Sequence, residues 1–259
     1  MDDLERIHEA LQQAVAAISR FVPGAVKADQ KPMGRGPVTE ADRVADRVLR
    51  EALLGEGEGW LSEESTDDPA RLDKQRVWVV DPLDGTLEFV AGIPEWCVSV
   101  ALVENGKAIA GGISNPSTGE VFLGSESSGS TYNGQRTHAS ALTKIEGAVV
   151  LASRSEVKRG EWEPFRNAPI TIRPTGSVAY KLALVGAGLA DATWTLTPKS
   201  EWDVAAGVAL VMAGGGFVEC LDASSPTFNN PSPRLSGLIA GGMALRKQIR
   251  SLIRAVASA

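Results

Sequence analysis

The sequence predicts layered α and β structure in two subdomains, residues 1–145 of α+β type and residues 146–259 of α/β type. Two amphipathic helical patterns open the chain, hairpin-linked strand patterns follow, and strand and helix patterns then alternate to the end. With 259 residues, 43% of them hydrophobic, the chain can bury a core that serves both halves.

Leu4, Ile7, Leu11, Val15 and Ile18 recur at helical spacing, so a first helix ends before Pro23. A loop rich in Lys, Gly and Pro spans residues 24–37. Thr39 is placed to cap the next helix, ADRVADRVLREALL, with Val44, Val48, Leu49 and Leu53 on one face and Asp42 in the first turn. After the glycine- and acid-rich stretch 55–69, the run VWVV (77–80) has strand composition and leads directly into Asp81-Pro82-Leu83-Asp84-Gly85-Thr86. Further strand patterns occupy 97–103, 107–114 and 120–125, joined by turns at Asn105-Gly106 and Ser117-Thr118-Gly119. The second half reads as strand 148–153, helix 178–190, strand 192–196, a helix at 203–213 closed by Gly214-Gly215-Gly216, strands 216–221 and 235–241, and a helix from Met243.

The formal net charge of −6 argues against a basic groove for a nucleic-acid polymer and against a polybasic membrane patch. An acidic chain still binds an anion where bound cations reverse the local field. The first 22 residues open with acids and keep polar positions throughout, which fits neither a signal peptide nor a membrane span, and the expected compartment is the cytoplasm. Cys97 and Cys220 lie in apolar runs and read as reduced core residues, a disulfide between them staying open. His8 and His138 stand alone and read as surface residues.

Three acidic motifs stand out, each with an ordinary alternative. Asp81 and Asp84 end an apolar strand, Pro82 fixing one φ and Gly85 allowing close approach, but any Pro-Gly turn could look so. Ser62-Glu63-Glu64-Ser65 follows Trp60-Leu61, where a plain acid pair would be solvated surface. Asp203 stands at the start of an apolar helix, where an acid also serves as a cap.

With Thr39-Glu40-Ala41-Asp42 upstream and GSVAYKLALVGAGLAD (176–191) downstream, these motifs match in order the signature set of the inositol monophosphatase superfamily. The chain resembles that superfamily over almost its whole length, near its bacterial bisphosphate-nucleotidase and inositol-phosphatase branches. The resemblance implies a sugar-phosphatase-like αβαβα sandwich and two or three Mg²⁺ ions. It assigns Glu63, Asp81 and the Leu83 carbonyl to one ion, Asp81, Asp84 and Asp203 to a second, and Asp42 to a weaker ion held through water. It places Glu64 and Thr86 as the pair that orients and deprotonates the attacking water, with Asp42 beside them. It also sets Gly85 and Thr86 amides around the phosphate, Asp84 and Asp203 next to the substrate, and Gly176 and Ser177 in a substrate-contacting loop. Inhibition by Li⁺ and a homodimer are further implications.

The chemistry has an independent rationale. A phosphate monoester repels hydroxide, so its hydrolysis needs cations that neutralise phosphoryl oxygens and stabilise the departing alkoxide. Mg²⁺ prefers hard oxygen ligands, which Glu63, Asp81, Asp84 and Asp203 supply from three segments without a competing Cys/His cluster.

Two departures bear on substrate. Leu87-Glu88-Phe89 follows the DGT motif where inositol monophosphatases commonly have Asn-Phe, and Glu88-Phe89 resembles the nucleotidase branch. Between Asp191 and Trp202 the inositol branch places an acid for ring hydroxyls, whereas this chain has Thr193, Trp194 and Thr195. The favoured reading is therefore a nucleotidase for 3′-phosphoadenosine 5′-phosphate or a related bisphosphate, with Trp194 as an adenine wall and Lys181 or Lys199 for the second phosphate. The alternatives are an inositol or sugar phosphatase and a non-catalytic metal- or phosphate-binding regulator.

Overall fold

The computed structural model describes residues 2–31 and 36–257. In chain order its elements are helix α1 (Asp3–Ile18), strands β1 (Ala28–Gln30) and β2 (Pro37–Thr39), helix α2 (Glu40–Leu53), strands β3 (Gly59–Ser62) and β4 (Arg76–Asp84), and the short helix α3 (Thr86–Ala91). Strands β5 (Cys97–Glu104), β6 (Lys107–Asn115), β7 (Glu120–Ser125), β8 (Gly129–Tyr132) and β9 (Gln135–Thr137) complete the first sheet. Then come β10 (Ala148–Ser153), α4 (Arg154–Lys158), β11 (Ile170–Thr175), α5 (Val178–Gly186), β12 (Ala192–Thr195), β13 (Lys199–Ser200), α6 (Glu201–Ala213), β14 (Gly216–Cys220), β15 (Arg234–Leu235), β16 (Leu238–Gly242) and α7 (Arg246–Ala257).

Five layers stack as αβαβα. Helices α1 and α2 cover one face of a seven-stranded sheet of order β3-β4-β5-β6-β7-β8-β9. Helices α5 and α6 fill the space between it and a five-stranded sheet of order β11-β10-β12-β16-β14. Helix α7 lies against the outer face of that second sheet. The three buried apolar clusters are the three interfaces so formed. The middle one explains why α5 and α6 read as nearly all apolar: both sides of each helix face a sheet.

The local chemistry agrees with these elements. Asp2 caps α1 by accepting from Glu5 N, with Glu5 returning to the Asp2 amide. Asn105 and Gly106, both at positive φ, close the β5–β6 hairpin. Within the second sheet β10 pairs parallel with β11 and β12, while β16 runs antiparallel to β12 and β14, so this half is a mixed sheet. Strands β3, β8, β9 and β11 lie where the sequence analysis assigned no element. They are short or polar, and β11 carries Pro174 at the sheet edge, so period and propensity gave little signal there. Within the 24–37 loop lies β1, which pairs with β2 beginning at the loop's last residue, and residues 32–35 lie outside the described residues. Cys97 and Cys220 are buried free thiols. Among the described residues no helix is long and apolar enough to cross a membrane.

Candidate active site and metal centre

The acids gather where β3 and β4, a parallel pair, end together beside the start of α6. Strand β4 continues through the DPLD segment, and its register against β5 shifts between Asp81 and Asp84. That irregularity breaks the strict alternation of a strand, which would otherwise send residues three apart to opposite faces. Asp81 Oδ1 accepts from Leu83 N at 3.0 Å, closing the turn onto itself. Gly85 follows at φ 98°, and a Cβ there would lie 3.0 Å from Glu95 O and 3.1 Å from Trp96 Cα. Both the conformation and the close approach require glycine.

Helix α2 supplies two acids from one face. Asp42 is fully buried at the third helical position and completes a capping box with Thr39: its Oδ2 accepts from Thr39 N at 2.8 Å and from Thr39 Oγ1 at 2.5 Å. The other oxygen, Oδ1, accepts from Thr86 Oγ1 at 3.1 Å, and Leu83 O lies 3.2 Å from the same hydroxyl. A carboxylate is thus held in line with the threonine hydroxyl, the geometry of a proton relay. One turn on, Asp46 accepts from Ser62 Oγ at 2.6 Å and Ser65 Oγ at 2.7 Å, gripping the segment that carries Glu63 and Glu64. Sequence reasoning passed over Asp46; its spacing of four from Asp42 on a helix was the available signal.

Asp84 Oδ2 accepts from Ser177 Oγ and from Ala179 N, both at 2.6 Å. Asp203 occupies the third position of α6 and accepts from Ser200 N at 3.0 Å, so Ser200 is the cap and the acid reading and the capping role coexist. Gly176 and Ser177 stand beside this cluster, but the Gly176 amide donates to Glu95 Oε2 at 2.7 Å and the Ser177 hydroxyl to Asp84. Both groups are engaged within the protein.

Electrostatics bind these acids into one unit. Burial, then Glu63, Asp84 and Asp203, push the Asp81 carboxyl well above the usual carboxylate range. Burial, then Asp84 and Glu63, push Asp203 to about 8. Burial raises Glu63, and raises Glu64 to about 6, both against the pull of Lys31. Lys31 was not singled out from sequence. Its Nζ lies 2.6 Å from Glu63 Oε1 and 2.5 Å from Glu64 Oε1, so a lysine from the loop before β2 is the cation nearest the pair. Nothing in a Lys between Gln and Pro marks it as functional.

Among the described residues, no three His, Cys, Asp or Glu side chains converge on one point as they would around an ion. The donor set nevertheless fits Mg²⁺: hard oxygens only, close enough to repel one another, a repulsion that a divalent cation relieves. Glu63, Asp81, Asp84, Asp203 and the Leu83 carbonyl would hold it, and the bound cation would supply Lewis-acid polarisation and charge neutralisation.

A model of the inositol monophosphatase family matches residues 3–256. The chain belongs to the inositol monophosphatase family. Its members are Mg²⁺-dependent phosphatases, and the chain is such an enzyme. It is 34% identical over 234 residues to an inositol-1-monophosphatase of Mesorhizobium japonicum, covering 86% of this chain and 84% of the relative. The solved structure of an inositol monophosphatase from Thermotoga maritima superposes with a TM-score of 0.83 at 27% identity, covering 100% of this chain and 99% of the other. CysQ from Bacteroides thetaiotaomicron, a bacterial family member, superposes with a TM-score of 0.77 at 26% identity, covering 93% and 97%. The αβαβα layering expected of the family is the architecture observed.

The substrate contacts suggested by sequence need correction. Trp194 is 2% exposed and stacks on Trp162 with centroids 5.0 Å apart in the outermost apolar cluster, so it packs the core and walls no ligand. Lys181 is buried and donates to Ser177 O at 2.9 Å. Lys199 pairs with Glu156 at 3.1 Å. The Lys181 ammonium is thus withdrawn from solvent, and that of Lys199 is engaged by Glu156.

Proposed function

We propose that the enzyme hydrolyses a small phosphomonoester bearing a second anionic group, with a nucleoside 3′,5′-bisphosphate such as 3′-phosphoadenosine 5′-phosphate as the first choice. In this reading Glu63, Asp81, Leu83 O, Asp84 and Asp203 hold two Mg²⁺ ions, and the Asp42–Thr86 relay with Glu64 takes the proton of the attacking water. Gly85 and Thr86 amides face the phosphate.

One observation supports the anionic leaving group above others. The β12 segment that would offer an acid to ring hydroxyls is closed: Thr193, Trp194 and Thr195 are buried, and the Thr195 hydroxyl donates to Glu156 Oε1 at 2.6 Å. Glu156 in turn accepts from Trp162 and pairs with Lys199, so both of its oxygens are already engaged within the protein. Close to Gly176, the 40%-exposed Arg154 side chain, held by Glu95, is a cation that a second phosphate could reach. The name of the Mesorhizobium relative favours a second reading, an inositol phosphate.

The deciding measurement compares kcat/KM for 3′-phosphoadenosine 5′-phosphate and inositol 1-phosphate at one Mg²⁺ concentration. A preference of about tenfold or more for the bisphosphate is expected, the scale of one charge-assisted contact. A preference for the inositol ester would transfer the assignment to the second reading.

A further inference from the structure

Lys181 has no place in the carboxylate chemistry, yet it is an ammonium buried to 4% exposure in the central layer of the fold. Dehydrating a cation is costly unless it makes a contact that matters. Its Nζ donates to Ser177 O at 2.9 Å, closing a ring from the first turn of α5 back to the residue that caps it. Burial lowers its pKa, with Asp84 and Glu156 opposing that drop.

The residue it holds is strained. Ser177 has φ 56° and ψ 129°, a conformation an L residue adopts only when its surroundings impose it. From that conformation Ser177 Oγ donates to Asp84 Oδ2 while accepting from Tyr180 N at 3.0 Å, and Ala179 N donates to the same Asp84 oxygen. Both contacts fall on Oδ2, and Oδ1 is left for another partner. The preceding residue is confined as well: a Cβ at Gly176 would lie 2.4 Å from Glu88 Cγ.

We infer that Lys181 is a positioning residue that fastens the strained Ser177 so that Asp84 is fixed with Oδ1 directed at the cation. The inference rests on the metal reading of the carboxylate cluster. Lys181 would then act on the reaction through Ser177 and Asp84, without touching substrate.

The test uses the full chain with Lys181→Met, Ser177→Ala and the double variant. Mg²⁺ binding is measured by calorimetry without substrate, alongside kcat, KM and the melting temperature. Each single change should weaken Mg²⁺ binding by roughly three- to tenfold and lower kcat by about tenfold with little change in KM, and the double variant should be no worse than the poorer single one, since both act through one contact. Lys181→Gln, which keeps an N–H donor, should recover most of kcat, and Lys181→Leu replaces Lys181→Met in the cycle should that variant fail to fold. Unchanged Mg²⁺ affinity and kcat with only a lower melting temperature, or losses that multiply in the double variant, would overturn the inference. Wild-type protein that binds no Mg²⁺ would instead overturn the metal reading beneath it.

Discussion

Asp84→Asn should give a folded protein whose kcat is about a thousandfold below wild type, the upper range for loss of one transition-state electrostatic contact. Asparagine keeps the shape of the side chain, and its carbonyl oxygen can still accept from Ser177 Oγ and Ala179 N. What disappears is a negative charge at the junction of β4 and α3, where the cation would sit between Asp81 and Asp203. Near-UV circular dichroism and a thermal melt check the fold, and steady-state phosphate release checks the rate. If Asp84→Asn unfolds where wild type does not, Asp84 is a structural residue and the metal assignment fails at its centre.

Metal-free protein should lose stability as pH rises from about 5 to 8, opposite to the trend of a protein held by salt-bridged carboxylates. The sign follows from the raised carboxyls. Asp203 is lifted to about 8, Glu64 to about 6 and Asp81 well upward, whereas the same groups in the unfolded chain titrate near ~4. Between those values the native state carries protons that the unfolded state has released, so each step up in pH favours unfolding. The repulsion that grows is the one Mg²⁺ cancels, because the ion binds the deprotonated set. With Mg²⁺ at saturation the melting temperature should become nearly independent of pH over this window, and the shift caused by Mg²⁺ should be larger at pH 8 than at pH 6. At roughly 2–4 °C per kcal/mol for a chain of this size, the difference is within reach of calorimetry. A metal-free melting temperature that rises from pH 5 to 8 would show that these carboxylates are not destabilised by burial and by one another.

The long elements were legible because their periodicity and caps agree with their packing. Asp42 illustrates this well: Thr39 and Asp42 are readable as a helix start, and the same hydrogen bonds that cap the helix aim the carboxylate at Thr86. Asp81 and Asp84 were legible because their motif stands in order with those of Asp42, Glu63-Glu64 and Asp203; alone, an apolar strand leaving through Pro and Gly is an ordinary turn. Lys31 and Asp46 were not, since a loop lysine and a helix aspartate become informative only when the fold brings Glu63, Ser62 and Ser65 to them. Trp194 misled for the same reason. An aromatic beside a functional motif looks like a ligand wall in sequence, but strand alternation turned it toward Trp162 and Phe165, away from the carboxylates. The Ser177 strain and the route of the Gly176 amide to Glu95 depend on residues more than eighty positions away, and no local pattern announces them.

The most direct test of the carboxylate cluster as a metal-dependent phosphatase site is phosphate release by the full chain after exhaustive chelation, followed by titration with Mg²⁺. The substrates are 3′-phosphoadenosine 5′-phosphate and inositol 1-phosphate, assayed separately. Release should vanish in excess EDTA, return saturably with Mg²⁺ on at least one of the two esters, and fall again when Li⁺ is added. Full turnover in EDTA after complete metal removal would contradict the account, because four mutually repelling carboxylates, Asp81 and Asp84 of them buried, would then be hydrolysing without a cation the anion they repel.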